Sequence, residues 1–197
     1  MAKYIITGAS GWVGKNFLTQ LTRENDNNYA IKISKSDSIK CLCLEGETID
    51  TIDATPNQVE IVTGDLITGE GLASLFSDAE NSILVHLAGL IHPAVFSRDF
   101  NLVNFKGSKK LVEAANRAKV SKIVVMSSNS PIGCNPTNDH LFTEESPYSP
   151  YMGYGQSKYN LELYLLGLIE NSGAPPIVII RAPWFYGPFQ PPRQKMF

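Results

Sequence analysis

The chain has 197 residues, of which 43% are hydrophobic, so it can bury the core of one sizeable domain. Its 17 basic and 19 acidic side chains leave a net charge of −2, which argues against nucleic acid or an anionic membrane as a partner. No apolar run approaches the ~20 residues of a membrane-spanning helix, and the N-terminus lacks the pattern of a signal peptide, so we expect a cytoplasmic protein.

Short apolar runs alternate with segments of helical periodicity along the whole chain. Strands are predicted at residues 4–6, 30–33, 59–62, 83–87, 123–126 and 177–180. Helices are predicted from the first turn to about residue 23, over 102–118 and over 154–169. The strand runs are almost continuously apolar, which is typical of parallel strands covered on both faces. We therefore predict an α/β fold with a doubly wound parallel sheet of the Rossmann type.

Two stretches do not follow this alternation. Residues 34–58 are polar and predicted to be irregular. Residues 131–153 are rich in Pro, Asn, Ser and Tyr, and we interpret them as a functional loop.

A glycine-rich turn follows the first strand and opens the first helix. Gly8, Gly11 and Gly14 are spaced as G-x-x-G-x-x-G. Backbone without Cβ atoms can approach a pyrophosphate closely, and the helix N-terminus presents N–H groups and partial positive charge to it. Because the turn has a strand before it and a helix after it, the pattern predicts dinucleotide binding.

The residues after the predicted second strand bear on the choice of cofactor. In NAD-binding domains an acidic residue there holds the ribose 2′-OH. Ser34 occupies that position, Lys35 follows it, and the first carboxylate is Asp37. A hydroxyl and a cation suit a 2′-phosphate, so we predict a preference for NADP, with NAD as the alternative. Lys35 as an ordinary solvated side chain is the competing interpretation.

A second group of polar residues has the spacing of a proton-transfer site. Tyr154 and Lys158 are four residues apart on a predicted helix and therefore lie on one face. A nearby ammonium is expected to lower the tyrosine pKa toward the working range. Ser127 and Ser128 end the fifth strand, at the edge where ligands bind in such sheets.

The cysteines predict neither disulfides nor a metal site. There are only three, Cys41, Cys43 and Cys134, and no His or Cys pair follows the C-x-C at zinc spacing.

With these motifs in place, the chain resembles the extended short-chain dehydrogenase/reductases. That group includes nucleotide-sugar epimerases and dehydratases, 3β-hydroxysteroid dehydrogenases and dihydroflavonol-type reductases. The resemblance covers essentially all 197 residues. It is carried in order by TGASGWVG at 7–14, GDL at 64–66, HLAG at 86–89, VNFKGS at 103–108, MSSNSPIG at 126–133, YGQSK at 154–158 and RAPWFYGP at 181–188.

The resemblance implies a cofactor site spread over these motifs. The glycine turn would line the pyrophosphate, Asp65 would accept a hydrogen bond from adenine, and Pro183 would line the nicotinamide end. A purely structural role for Asp65, as an acid at a helix start, competes with this one. The full predicted set is Gly8, Ser10, Gly11, Trp12, Val13, Gly14, Ser34, Lys35, Asp65, Leu66, Leu87, Ala88, Gly89, Asn104, Tyr154, Lys158 and Pro183.

The resemblance also assigns catalytic roles. Tyr154 would be the acid/base, and Lys158 would bind the nicotinamide ribose and lower the tyrosine pKa. Ser128 would orient the substrate oxygen, with Ser127 as the fallback, and Asn104 would hold the proton-relay geometry. His86 is interpreted as structural, and His92 as a solvated loop residue above the site.

Two departures from the family pattern limit the prediction. The acid after the second strand is missing, and relatives continue for about another hundred residues that supply most of a substrate lobe. We therefore expect residues 1–197 to be a nucleotide-binding domain that lacks this lobe and to be poorly stable and barely active alone.

The expected function is oxidoreduction of the epimerase/dehydratase type on a small-molecule substrate such as a nucleotide sugar. A ketone reductase, a 3β-hydroxysteroid-type dehydrogenase and a non-catalytic dinucleotide-binding module are the alternatives. The family commonly forms homodimers through the helices that here carry Asn104 and Tyr154. Leu161, Leu165, Leu168 and Ile169 form a stripe that would suit such an interface, although it could also face the sheet.

Overall fold

The computed structural model describes residues 2–22, 34, 36–49, 59–91, 99–171, 173–184, 186–188 and 190–191. They form one six-stranded sheet with helices on both faces. In chain order the elements are β1 (Lys3–Thr7), α1 (Trp12–Thr22), β2 (Ser38–Cys43), β3 (Val59–Thr63), α2 (Leu72–Leu75), β4 (Ile83–His86), a π-helical segment (Asn101–Gly107), α3 (Ser108–Arg117), β5 (Lys122–Ser128), a 3-10 turn (Ser130–Ile132), α4 (Met152–Glu170) and β6 (Ile177–Ala182).

The sheet has the strand order β3-β2-β1-β4-β5-β6, and every neighbouring pair is parallel. The carboxyl ends of all six strands therefore lie along one edge. The chain runs outward in one direction from β1 and in the other from β4, so the switch point lies between these two strands, where doubly wound sheets bind ligands. The predicted doubly wound parallel sheet is confirmed.

Alternate residues of the strands pack into two separate apolar layers. On one face, Leu84 and Ile123 pack with Leu111 of α3 and Leu165 of α4. On the other face, strand residues pack against α1, whose Leu18 is fully buried. Burial on both faces explains why the strands are nearly continuous apolar runs rather than alternating ones.

The second strand differs from the prediction. Residues 30–33 lie outside the described part of the chain, and the strand beside β1 is β2, within the stretch that we predicted to be irregular. Cys41 and Cys43 are buried there and act as small apolar residues. Lys40 extends sideways to Ser77 Oγ at 3.0 Å and to a Glu60 carboxylate oxygen at 3.4 Å. One lysine and two cysteines in six residues conceal the apolar pattern of this strand.

The α4 helix shows which of its apolar residues face the sheet. Leu161 and Leu165 are fully buried, and Leu168 packs partly against the same core. The stripe considered for a dimer interface therefore mostly faces the sheet. Leu163 and Leu166 are instead exposed on the outer side of the helix.

The β6 strand lies at one edge of the sheet. Val178 and Ile180 on this strand are exposed, and so are Trp184 and Tyr186 just beyond it. Of the helices in the described stretches, none is long and apolar enough to cross a membrane.

Candidate active site

Tyr154 and Ser128 meet at the carboxyl edge of the sheet. Ser128 is the last residue of β5, and Tyr154 lies in the first turn of α4. Gly155, next to Tyr154, lies against the Ser130 backbone, and the Ser128 side chain acts on the Tyr154 phenol. The Tyr154 ring packs edge-on against Phe100, with ring centroids 5.9 Å apart. The loop between β5 and α4 returns to the strand end through the Ser149 and Tyr151 amides, which donate to the carbonyls of residues 131 and 130.

The protonation of Tyr154 differs from the prediction. Burial raises the pKa of its phenol, while the hydrogen bond with Ser128 acts in the opposite direction. The Lys158 ammonium instead donates to the Met126 carbonyl at 2.9 Å. In this geometry the tyrosine is a neutral proton donor, and the predicted lowering of its pKa by Lys158 is wrong.

Lys158 is almost completely buried beside Gly89 and Asn104. A Cβ atom on Gly89 would stand 3.3 Å from both Lys158 Nζ and Asn104 Oδ1. Burial lowers the pKa of Lys158 to about 8, and the Glu162 carboxylate opposes this shift. Gly89 itself is exposed, so the ammonium and the amide lie directly beneath an open backbone surface.

Asn104 is fully buried in the π-helical segment, a geometry that is frequent at functional sites. Its Oδ1 accepts from the Leu90 amide at 2.7 Å, and its Nδ2 donates to the Leu90 carbonyl at 2.9 Å. The Nδ2 group also donates to Ser157 Oγ at 3.1 Å. Asn104 therefore ties the loop after β4 to the helix that carries Tyr154.

The glycine turn lies at the carboxyl end of β1. Gly8 has φ +75° and lies against the Ala88 backbone, which a Cβ atom would meet at 2.5 Å. A Cβ atom on Gly14 would stand only 2.0 Å from the Gly8 carbonyl oxygen. At Gly11, which is exposed, the only close neighbour of a Cβ atom among the described residues would be that same oxygen at 3.2 Å. Backbone packing thus explains Gly8 and Gly14, whereas Gly11 has a single close backbone neighbour and is exposed.

The remaining residues of the predicted set that the structure describes lie along the same edge of the sheet, with one exception. Leu87 and Ala88 follow β4, and Pro183 follows β6 next to the end of β5. Asp65 lies beyond β3, where its carboxylate accepts from the Ile67 amide at 2.7 Å in a local turn. This contact supports the structural role that competed with adenine binding.

Ser34 is the exception. It lies before β2, and β2 begins beside Lys3, so Ser34 is at the opposite edge of the sheet from the glycine turn. Its amide donates to the Asp37 carboxylate at 2.8 Å. Lys35 lies outside the described residues. The preference for NADP was predicted from Ser34 at the end of the second strand. That position is wrong, because the second strand of the sheet is β2, a later segment of the chain.

Glu47 occupies the place where an acid was expected. After β2 the chain turns back, and the Glu47 carboxylate accepts from the Leu44 amide at 3.1 Å and from Ser10 Oγ at 2.7 Å. Ser10 belongs to the glycine turn. The sequence signal for Glu47 is a carboxylate four residues after the end of β2. This signal was missed because the second strand was predicted at residues 30–33 and not at the position of β2.

The Pro188 carbonyl also reaches the glycine turn. Trp12 Nε1 donates to it at 2.5 Å, and Asn16 Nδ2 donates to it at 2.8 Å. The chain beyond β6 therefore contacts the start of α1.

His86 ends β4 and is fully buried. Its Nδ1 is 2.6 Å from Thr7 Oγ1, and its Nε2 is 2.7 Å from Ser108 Oγ, so it joins β1, β4 and α3. Burial, with a smaller contribution from Lys158, lowers the pKa of His86 to about 3. The ring is neutral and structural, as the sequence predicts. His92 lies outside the described residues.

The buried neutral His86 is expected to make the fold sensitive to mild acid. Its pKa in the folded chain is below the ~6.5 of an unfolded histidine, so the unfolded state gains the proton as the pH falls. The free energy of unfolding should decrease by about 2–3 kcal/mol between pH 6.5 and 4.5, at ~1.4 kcal/mol per pH unit. Urea denaturation at several pH values measures this slope.

His86→Gln should flatten that pH dependence, because glutamine fills much of the space without gaining a proton. His140→Gln, on the loop before α4, is the control and should retain it. An equal slope in the parent and in His86→Gln would contradict the assignment.

No group of three His, Cys, Asp or Glu side chains in the described ranges is arranged to hold a metal ion. Cys41 and Cys43 are buried in β2, and burial raises the pKa of Cys41 to about 12, so its thiol stays protonated.

Three relatives have closely comparable sequences or folds. A protein of Sinorhizobium fredii called y4nL is 42% identical over 98% of this chain and 53% of its own length. The human dTDP-D-glucose 4,6-dehydratase is 28% identical over 98% of this chain and 53% of its own length. A crystal structure of dTDP-glucose 4,6-dehydratase from Bacillus anthracis in complex with NAD has a TM-score of 0.79 and 21% identity, covering 98% of this chain and 58% of that one.

The chain therefore spans about half the length of the curated relatives that it matches. The family model for the NAD dependent epimerase/dehydratase family matches residues 4–197, which is nearly the whole sequence. Together with the parallel sheet and the cluster around Tyr154, this match shows that the chain belongs to the NAD-dependent epimerase/dehydratase family.

Proposed function

We propose that this chain is the dinucleotide-binding and proton-transferring half of an oxidoreductase that acts on a carbinol or carbonyl carbon of a nucleotide sugar. The observation that carries the proposal is the meeting of Ser128, at the end of β5, and Tyr154, in the first turn of α4, at the carboxyl edge of the sheet. The sugar substrate is inferred from relatives such as the human dTDP-D-glucose 4,6-dehydratase.

The residues present fit a dinucleotide. Gly11 is exposed in the glycine turn, where a pyrophosphate would meet the N-terminus of α1. Gly89 leaves a second open backbone surface above Lys158 and Asn104, where a nicotinamide ribose would lie. The bound nicotinamide would supply the hydride acceptor or donor for the reaction.

The protein side of the reaction is proton transfer and positioning. During oxidation the substrate hydroxyl gives its proton to Tyr154, which must first have lost its own proton to become the phenolate. During reduction the resulting neutral phenol gives this proton to the carbonyl oxygen. The Ser128 hydroxyl, beside the phenol, can donate a hydrogen bond to the same oxygen. The Lys158 ammonium, fixed by the Met126 carbonyl, can donate its other protons to ribose hydroxyls.

Among the reactions in the family's name, the residues beside Tyr154 favour epimerisation over dehydration. Removal of water needs a second acid/base to take a carbon-bound proton and protonate the leaving hydroxyl. The described residues next to Ser128 are Asn129 and Ser130, whose side chains are neutral and lie 3.4 and 3.1 Å from its Oγ. These side chains can orient a sugar hydroxyl, but they are not acid/base groups at neutral pH.

Product analysis tests the proposal. The purified chain, and the chain extended through its native downstream sequence if one exists, are incubated with NAD and dTDP-glucose, and the products are analysed by chromatography and mass spectrometry. An isomer of unchanged mass is the expected product, and a product that has lost water would show dehydration instead. NADH binding without conversion would favour a non-catalytic module, and turnover confined to simple ketones would favour a reductase.

We also propose that the cofactor is NAD rather than NADP, because Glu47 lies over the glycine turn. A carboxylate there accepts hydrogen bonds from ribose hydroxyls and repels a 2′-phosphate. Calorimetry should give tighter binding of NADH than of NADPH. Glu47→Gln should narrow this preference by roughly tenfold or more, which corresponds to ~1.4 kcal/mol.

The matched control for that variant is Glu45→Gln, which removes the same charge two residues earlier, where the side chain is also exposed. It should leave the NADH to NADPH ratio nearly unchanged. If Glu45→Gln and Glu47→Gln change the ratio of NADH to NADPH affinity equally, the effect of Glu47 is one of general surface charge. If the parent binds NADPH more tightly than NADH, the NAD assignment is refuted.

The homodimer stays a proposal, and its surface is redefined. Because Leu161 and Leu165 face the sheet, the exposed apolar residues left for a partner on the C-terminal half of α4 are Leu163, Leu166 and Ile169. Light scattering at micromolar concentration should give twice the monomer mass, and Leu166→Lys should restore the monomer mass. A monomeric parent would contradict the proposal.

A further inference from the structure

Glu162 is a fully buried carboxylate that the hydride-transfer mechanism does not use. Its Oε1 accepts from the Ser127 hydroxyl. Its Oε2 accepts from Tyr148 Oη at 2.8 Å and from Arg181 Nε and Nη2, each at 2.9 Å. One carboxylate therefore connects α4 to the end of β5, to β6 and to the loop between β5 and α4.

These contacts surround the proposed catalytic groups. Ser127 directly precedes Ser128 on β5, and Tyr148 lies on the loop that leads to Tyr154. Arg181 adds to the cluster by contacting Tyr148 Oη at 2.8 Å and stacking over its ring, 5.1 Å from the centroid. A buried ion pair contributes little net stability compared with well-packed apolar residues, so stability alone does not account for this one.

Glu162 also lies one helical turn beyond Lys158, so both side chains project from the same side of α4. The Lys158 ammonium donates to the neutral Met126 carbonyl. The charged and titratable groups that face it are Glu162 on its own helix, His86 at the end of β4 and, across the carboxylate, Arg181 on β6. His86 is neutral, so Glu162 is the anion in this set that can balance the ammonium.

We propose that Glu162 is a positioning residue that balances the charge of the buried Lys158 ammonium and ties α4, which carries Tyr154 and Lys158, to the strand ends and the loop beside Ser128. The role of Lys158 toward a nicotinamide ribose rests on the proposed function, whereas the pairing of Glu162 with Lys158 rests on their burial one helical turn apart on α4. The direction of the electrostatic effect agrees, because burial lowers the pKa of Lys158 and Glu162 raises it. Arg181 is a second cation that interacts with the same Glu162 carboxylate and competes with Lys158 for its charge.

Two substitutions that break the same ion pair between Glu162 and Arg181 should shift the pKa of Lys158 in opposite directions. Glu162→Gln removes the anion, so the pKa of Lys158 should fall by roughly one unit or more. Arg181→Gln removes the competing cation, so the pKa of Lys158 should rise. The measurement is the titration of the lysine ε-carbon signals by NMR in the full chain, with Lys158 assigned from a Lys158→Arg variant.

Tyr148→Phe is the matched control. It removes one hydrogen bond from the same carboxylate but leaves both charges, so the pKa of Lys158 should change by at most a few tenths of a unit. If the cluster has a purely structural role, the pKa of Lys158 should shift in the same direction in all three variants or remain unchanged. Either result would overturn the proposal. If Glu162→Gln does not fold, the absence of a rise in Arg181→Gln overturns it equally.

Binding of NADH separates this inference from the proposed function. In the parent, affinity should decline as the pH rises through the Lys158 pKa of about 8, because the ammonium donates to the ribose hydroxyls. The midpoint of that decline should move down in Glu162→Gln and up in Arg181→Gln. A parent that does not bind NADH refutes the proposed function. A parent that binds NADH but keeps the same midpoint in both variants refutes the role of Glu162.

Discussion

Tyr154→Phe is expected to reduce turnover by ~100- to 10,000-fold while NADH binding changes little, because the phenol acts in proton transfer. The phenylalanine ring keeps the edge-on contact with Phe100, so the start of α4 should remain packed. What is lost is the proton that burial keeps on Tyr154 Oη and the hydrogen bond with Ser128. Turnover is measured by chromatography of dTDP-glucose products, and NADH binding by fluorescence titration of the same sample.

Tyr151→Phe is the control for that substitution. Tyr151 precedes α4 by one residue and its side chain is exposed, so it loses an equivalent hydroxyl outside the proposed site. It should keep nearly full turnover. Unchanged turnover in Tyr154→Phe would rule out the phenol as the acid/base, and loss of NADH binding would show that the ring has a structural role instead.

The parts of the site that follow from local spacing could be predicted from the sequence. The glycine turn needs a strand before it and a helix after it, and both were legible. Tyr154 and Lys158 share a helix face by their spacing alone, and Ser128 ends a clearly apolar strand. These positions depend on contacts between near neighbours in the chain and on the rule that parallel strands end at one edge.

The orientation of the groups could not be predicted in the same way. Spacing places the Lys158 ammonium near Tyr154, but its acceptor is the Met126 carbonyl, 32 residues earlier in the chain. The pKa of Tyr154 therefore follows its burial and the bond with Ser128 rather than the cation. Which acceptor a long flexible side chain selects is decided by tertiary packing, and no local pattern encodes it.

Glu47 and Glu162 were missed for two different reasons. The role of Glu47 depends on the position of β2, and the lysine and cysteines of β2 hid the apolar pattern of that strand. The error in the position of the strand therefore became an error in the predicted cofactor preference. Glu162 is a carboxylate on a helix, where solvent exposure is the usual state. Its burial depends on Ser127 and Arg181, which lie 35 and 19 residues away. Only the assembled sheet brings these donors together.

Alanine substitutions at two glycines of the glycine turn should separate effects on folding stability from effects on cofactor binding. Gly14→Ala is expected to destabilise the chain by roughly 1–3 kcal/mol, because a methyl group 2.0 Å from the Gly8 carbonyl oxygen and 2.6 Å from Ala9 Cα forces the backbone apart. These neighbours are main-chain atoms, which cannot move aside as a flexible side chain can. Urea denaturation of the chain without cofactor measures the loss.

Gly11→Ala is the matched variant and should behave in the opposite way. Among the described residues its methyl group would meet only the Gly8 carbonyl oxygen, at a tight 3.2 Å, so the free energy of unfolding without cofactor should fall by about 1 kcal/mol or less, clearly less than in Gly14→Ala. The same methyl group would stand where the pyrophosphate is proposed to lie, so NADH affinity should fall by roughly tenfold or more, which corresponds to ~1.4 kcal/mol. If Gly11→Ala binds NADH as tightly as the parent, the pyrophosphate does not lie over this turn. If it unfolds as readily as Gly14→Ala, the glycine is required by the fold and is no indication of a ligand.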